Sequence, residues 1–139
     1  MEHGDDEYFM RLALAEAQKA ADRDEVPVGA VVAAGKIIIS RAHNLTETLN
    51  DPTAHAEMQA FTAASAYLGG KYLDECTLYV TVEPCVMCAG AIAHARVRRV
   101  VFGAYDPKAG AAGSAFDILE NRTALHRPEV IGGVLAEEC

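Results

Sequence analysis

No stretch of this sequence is long and apolar enough to cross a membrane; uncharged runs such as Val26 to Gly35 fall far short of a span. The opening residues, Met1-Glu2-His3-Gly4-Asp5-Asp6-Glu7, lack the basic and apolar regions of a signal peptide, so the expected location is cytoplasmic. Positive charge is scarce as well. Twelve Lys and Arg stand against twenty Asp and Glu, for a net charge of −8, which argues against a general nucleic-acid binder. Internal repeats, low-complexity tracts and dividing linkers are missing, so the 139 residues (1–139) are expected to form one domain with one core. Cysteine is sparse. Of the four, Cys85 and Cys88 form an x₂ pair, which in a cytosolic chain is more often metal-binding or redox-active than a structural disulfide. Cys76 reads as a small core residue.

The charge that is present is uneven. Residues 96 to 127 carry six of the twelve basic residues and three of the twenty acids, so that segment is +3 and the remainder −11. The segment is either a local grip for phosphates or a solvated face on an acidic body.

Periodicity predicts a helix over Asp5 to Arg23, with apolar groups at three- and four-residue steps. Val26 to Ala33 reads as a strand, Ala34-Gly35 as a tight turn, and Lys36 to Arg41 as its hairpin partner. Pro27 and Gly29 are unusual inside a strand and mark either a pocket wall or a bulge. Ala42 to Asp51 is a loop. Thr53 is the expected N-cap of a helix that ends at Gly69-Gly70. Thr77 to Val82 is a strand, Cys85 to Ala95 a short helix, Arg98 to Gly103 a strand, and Glu129 to Val134 a last short strand. Phe116 to Leu119 is expected to form a helical turn and Leu135 to Cys139 to begin a helix. The order α-β-β-α-β-α-β-β predicts one mixed sheet covered by helices on both faces.

Two motifs carry chemistry. Pro52-Thr53-Ala54-His55-Ala56-Glu57 is answered by Pro84-Cys85-Val86-Met87-Cys88. One His and two Cys are three zinc-type ligands, and three protein ligands leave a position open, which marks a catalytic zinc. A capping box starting at Thr53 would want its acid at position 56, which is Ala56, so Glu57 is not needed for capping and is free to move a proton. Either motif alone is weak. Together, each opening a helix, they make the H-x-E…P-C-x-x-C pattern of zinc-dependent nucleobase deaminases. A structural zinc would need a fourth protein ligand, and His43, His94, His126 and Cys76 lack the spacing. A redox pair would leave His55 and Glu57 unexplained.

The chain resembles the cytidine deaminase superfamily and within it is similar to the bacterial tRNA-specific adenosine deaminases. The likeness runs from Glu25-Val26-Pro27-Val28-Gly29 through both motifs to Gly103-Ala104-Tyr105-Asp106-Pro107-Lys108 and Gly110-Ala111-Ala112-Gly113-Ser114. It implies a cytidine-deaminase-like three-layer α/β/α fold around a mixed five-stranded sheet. It implies one Zn²⁺ per chain on His55, Cys85 and Cys88, and Glu57 as the proton shuttle in hydrolysis of adenosine to inosine at the tRNA wobble position. Asn44 is then expected to hydrogen-bond the nucleoside, Pro27, Val28 and Ala54 to line the base pocket, Asp106 to contact a neighbouring ribose, and Lys108 to meet phosphate. A homodimer on a tRNA anticodon stem-loop, with no membrane association, completes the expectation. The sequence departs from the family in two places. It closes on Ala136-Glu137-Glu138-Cys139 where the family usually continues into a basic helix, so either the chain is shortened or its RNA grip is weaker. The loop Leu45-Thr46-Glu47-Thr48-Leu49 carries an acid where relatives often have bases. The alternative is a guanine deaminase or another free nucleobase or nucleoside deaminase. A free-cytidine deaminase fits less well, because that group usually has Cys where His55 stands, and a non-catalytic zinc module leaves Glu57 without a role.

Overall fold

The computed structural model describes residues 2–119 and 126–139, so Arg122 of the basic segment lies outside the described residues. Helix α1 (Glu2–Asp22) leads to strands β1 (Gly29–Ala34) and β2 (Ile37–His43), helix α2 (Ala56–Leu68), strand β3 (Thr77–Val82), helix α3 (Val86–Ala95), and strands β4 (Arg99–Ala104) and β5 (Glu129–Ile131). The strands form one five-stranded sheet in the order β2-β1-β3-β4-β5. Strand β1 is antiparallel to both neighbours, whereas β3, β4 and β5 are parallel. This is the mixed five-stranded sheet of the cytidine-deaminase-like fold.

The two-residue period of the strands sorts the core. Val31, Ala33, Tyr79 and Val101 face Phe9, Met10 and Ala13 of α1. Ala30, Val32, Leu78, Val80, Val100 and Phe102 belong to the opposite layer with α2 and α3, and Cys76 is buried there. The α1 contact is tight because Gly29 has no side chain. A Cβ at that position would overlap the Ala13 carbonyl oxygen and lie 2.5 Å from the Ala17 nitrogen. Gly29 is therefore explained by close backbone approach, and the register of the β1–β2 pair shifts at Val32/Ala33 instead, where Ile39 of β2 is the extra residue.

Other local expectations shift. Strand β2 continues to His43, so the following loop is shorter than its composition suggests. Helix α2 starts at Ala56 with His55 as N-cap. The Thr53 N–H and hydroxyl both go to Asp51 Oδ1, at 2.8 and 2.7 Å, so Thr53 closes an Asx turn rather than capping the helix. Asp117 makes an isolated antiparallel bridge with Ala112 in place of a helical turn. Residues 134–138 are turns, with Leu135 at φ 53°. Arg99 leaves the basic surface altogether. It is buried, with its guanidinium on Asp6 at 3.1–3.2 Å and on Glu129 at 2.9 Å, and Tyr79 donates to the same Asp6 at 2.9 Å.

The antiparallel β1–β3 pair has a functional consequence. The start of β1 and the end of β2 lie at the same sheet edge as the carboxyl ends of β3 and β4, since Gly29 pairs with His43 and Val82 with Ala104. Helices α2 and α3 begin at that edge, where ligands of open α/β sheets characteristically bind.

Candidate active site

Glu83-Pro84 ends β3, and Cys85 follows as the N-cap of α3, extended at φ −77° and ψ 176°. Cys88 lies one turn in and is fully buried. His55 is the extended N-cap of α2, and its side chain makes no capping bond. Two helix starts thus place their cap residues face to face. His55 Nδ1 stands 3.7 Å from both Cys85 Sγ and Cys88 Sγ, and the three ligand atoms lie within 4.8 Å of one another. A tetrahedral zinc with bonds of about 2.3 Å to sulfur and about 2.1 Å to nitrogen would separate N and S by about 3.6 Å. The donor set and its spacing therefore fit a zinc ion. Among the described residues no other three such side chains gather this way. Cys76 sits in the core, His43 Nδ1 pairs with Glu16 at 3.1 Å, and His126 Nε2 donates to the Val97 carbonyl at 2.6 Å.

The electrostatics suit a metal-binding thiol pair. A hydrogen bond from Cys88 brings the Cys85 thiol down to about 5 against the opposing effect of burial, helped by the Cys88 amide, the His55 charge and the Met87 amide. Exposed amides of a helix N-terminus favour thiolate in this way. Donating that bond, and burial, push Cys88 up. Burial raises Glu57 above the ordinary carboxyl value; its own backbone amide opposes this, and the Cys85 charge adds to it. A buried carboxyl with a raised pKa beside a metal-type cluster is suited to proton transfer.

His55, Glu57 and Cys85 open on a pocket of ≈ 270 Å³, with Cys88 behind them. Val26, Val28, Asn44 and Thr46 contribute to its lining from the β1–β2 side, and Val82, Glu83, Asp106 and Ala109 from the β3–β4 side. The lining is mostly apolar, as a planar base requires. Asn44 is buried, and its Oδ1 has no donor among the described residues.

Val28, Asn44 and Asp106 thus come together with the three donors and Glu57. Pro27, Ala54 and Lys108 do not line this pocket. Pro27 borders a separate ≈ 250 Å³ pocket beside α1. Ala54 is buried and ties the loop through its carbonyl, which accepts the Leu45 N–H at 2.9 Å. Lys108 is exposed, and its N–H caps Asp106 Oδ1 at 3.1 Å. Sequence reasoning missed Val26, Thr46, Ala109 and Glu83. Glu83 is only 3% exposed, and its position as an acid between a β-branched strand and Pro84-Cys85 was the available signal. Burial works to raise its pKa, but the Ser114 hydroxyl and the amides of Asp106, Ser114 and Ala112 hold it below the usual value, so Glu83 is ionised.

The family described as MafB19-like deaminase matches residues 4–135. The tRNA-specific adenosine deaminase of Bacillus subtilis (strain 168) is 50% identical over 134 residues, covering 96% of this chain and 83% of that protein. A solved structure from work on A-to-I editing by tRNA:A34 deaminases at the wobble position superposes with a TM-score of 0.91 at 47% identity, covering 94% of this chain and 95% of the other. A guanine deaminase structure from Bacillus subtilis superposes less fully, with a TM-score of 0.71 at 40% identity over 78% of this chain and 69% of the other.

Proposed function

The chain belongs to the MafB19-like deaminase family, and from that premise we propose that it hydrolyses adenosine to inosine at the wobble position of a tRNA anticodon, acting as one zinc-dependent domain over residues 1–139. The observation that carries this reading is one pocket faced by metal-type donors, a buried carboxylate and an unpaired amide oxygen.

His55, Cys85 and Cys88 would hold one zinc ion per chain, which supplies Lewis acidity and brings the pKa of water towards neutrality. Glu57 accepts the proton of the attacking water, delivers it to N1 of the purine, and assists departure of ammonia from C6. Its place supports that role, since the carboxyl is buried and lines the same pocket as His55 and Cys85. Asn44 offers its free carbonyl oxygen to the nucleoside. Val28 packs on the base, with Pro27 beside it in the chain and Ala54 bracing the loop. Asp106 meets a neighbouring ribose and Lys108 a phosphate. The flipped-out nucleotide of a loop matches a pocket of this size.

The protein works in the cytoplasm as a homodimer. Large apolar side chains left exposed at the end of α2 and after it, Tyr67, Leu68 and Tyr72, support an interface there. No described helix is long and apolar enough to cross a membrane. Guanine deamination has the weaker support, because that structural match is looser.

The test incubates zinc-loaded protein with an anticodon stem-loop carrying adenosine at the wobble position and, separately, with free adenosine, guanine and cytidine. Mass spectrometry should find inosine in the stem-loop. Turnover of a free base with an untouched stem-loop overturns the reading. Glu57→Ala should abolish turnover with zinc retained, and persisting turnover would remove Glu57 from the proton path.

A further inference from the structure

We propose that Glu25 and Glu83 are positioning residues, two buried carboxylates that each clamp one loop of the pocket mouth and together set its width. Both are almost fully buried, at 4% and 3% exposure. Neither is paired with a basic side chain among the described residues. Each spends both oxygens on its loop instead. Glu83 accepts the N–H of Asp106 at 3.1 Å, of Ala112 at 2.9 Å and of Ser114 at 3.1 Å, together with the Ser114 hydroxyl. Glu25 accepts the N–H of Glu47 at 3.0 Å and of Thr48 at 2.6 Å, with the Thr48 hydroxyl at 2.6 Å.

The two carboxylates are themselves anchored. The Glu25 N–H bonds the Ala20 carbonyl at the end of α1, and the Glu83 N–H bonds the Ala104 carbonyl at the end of β4. Rigid elements therefore hold the carboxylates, and the carboxylates hold the loops. Those loops deliver Thr46 on one side, next to Asn44, and Asp106 and Ala109 on the other. Loop amides have no ladder partner, and an acceptor-only group satisfies two or three of them at once, with a hydroxyl besides. Glutamine of the same shape would turn an N–H₂ towards donors. Gly110 is fitted to the arrangement, since a Cβ there would overlap the Glu83 carboxyl.

The proposal rests on the deaminase reading for its substrate, and the test separates the two. Zinc-loaded Glu83→Gln, Glu25→Gln and Gly110→Ala are compared with the parent protein for zinc content, amide hydrogen exchange and steady-state kinetics. Cys76→Ala serves as a core truncation away from both loops. Each Gln variant should speed exchange in its own loop, 105–115 or 45–51, by about tenfold or more, the size of one lost hydrogen bond to a charged group. Gly110→Ala should loosen 105–115 in the same way. KM for the substrate that the parent turns over should rise by about tenfold while kcat falls less than about threefold. Cys76→Ala should move neither loop nor KM. Unchanged or uniformly raised exchange overturns the clamps, and so does a loss carried wholly by kcat. A parent protein that turns over guanine and ignores the stem-loop defeats the tRNA reading alone; exchange and the KM for guanine then decide the clamps.

Discussion

Asn44→Ala should raise stability and weaken substrate binding, two effects that a simple structural residue would not combine. Asn44 directly follows β2, and its N–H bonds the Val28 carbonyl at 3.1 Å, a bond that alanine keeps. Its side chain is 6% exposed, and Oδ1 finds no donor among the described residues. A buried acceptor left unpaired costs about 1–3 kcal/mol. Truncation removes that cost, and because the side chain borders the ≈ 270 Å³ pocket rather than the core, little packing is lost with it. The net gain should be about 1 kcal/mol, or about 3–4 °C in Tm for a chain of this length. In the complex the same oxygen accepts a hydrogen bond from the nucleoside, so its loss should raise KM by roughly 2- to 12-fold, the equivalent of about 0.5–1.5 kcal/mol. Thermal unfolding at fixed zinc concentration and stem-loop kinetics measure the two effects. A Tm lowered by several degrees with KM unchanged would show that the Asn44 amide serves the fold, and the argument from its unpaired oxygen would fall.

Cys85→Ser should lose zinc and stability together, because metal binding is coupled to folding; full zinc content by elemental analysis would contradict the ligand assignment. Gly29→Ala should cost about 3 kcal/mol, since its Cβ meets α1 backbone rather than a movable side chain; denaturant unfolding showing under about 1 kcal/mol would mean that α1 shifts freely. Arg99→Met should destabilise by about 3–5 kcal/mol by stranding buried Asp6, and Asp6→Leu added to it should recover part of the loss; a double variant worse than the single would refute this. Glu16 is a pH case. Burial tends to raise its pKa, but hydrogen bonds from Lys19 and His43 and the charges of Lys19 and Arg41 take it below the model-compound value of 4.5. As pH falls below 4.5 the unfolded chain binds this proton first, so the stabilisation present above 4.5 is lost as pH drops through the lower folded value. Glu16→Gln should therefore be the less stable protein at neutral pH, with the gap closing in acid; a gap constant with pH would exclude the linkage.

The parts of the site legible in the sequence are those set by short-range geometry. Cys85 and Cys88 are three apart at a helix start, so they share a face wherever that helix goes. Glu57 follows His55 by two residues and is left over once capping is counted. The strands announced themselves by β-branched runs and the turns by Gly35 and Gly69, both at positive φ. Boundaries were less legible, because a cap depends on which polar group wins a local competition. Thr53 has the right chemistry for an N-cap, yet Asp51 captures both its N–H and its hydroxyl.

What the sequence by itself determined is therefore the inventory: three metal-type donors, one spare carboxylate, and a chain patterned for a mixed sheet between helices. What only the tertiary structure decided is which charges are buried and whom they serve. Arg99 reads as part of a basic surface but is neutralised inside by Asp6, 93 residues away. Glu25 and Glu83 read as ordinary acids, but they hold loops 22–23 and 23–31 residues further on. The physical reason is that burying a charge is costly unless donors converge on it. Convergence across such separations is a property of the packed fold and has no period or spacing along the chain.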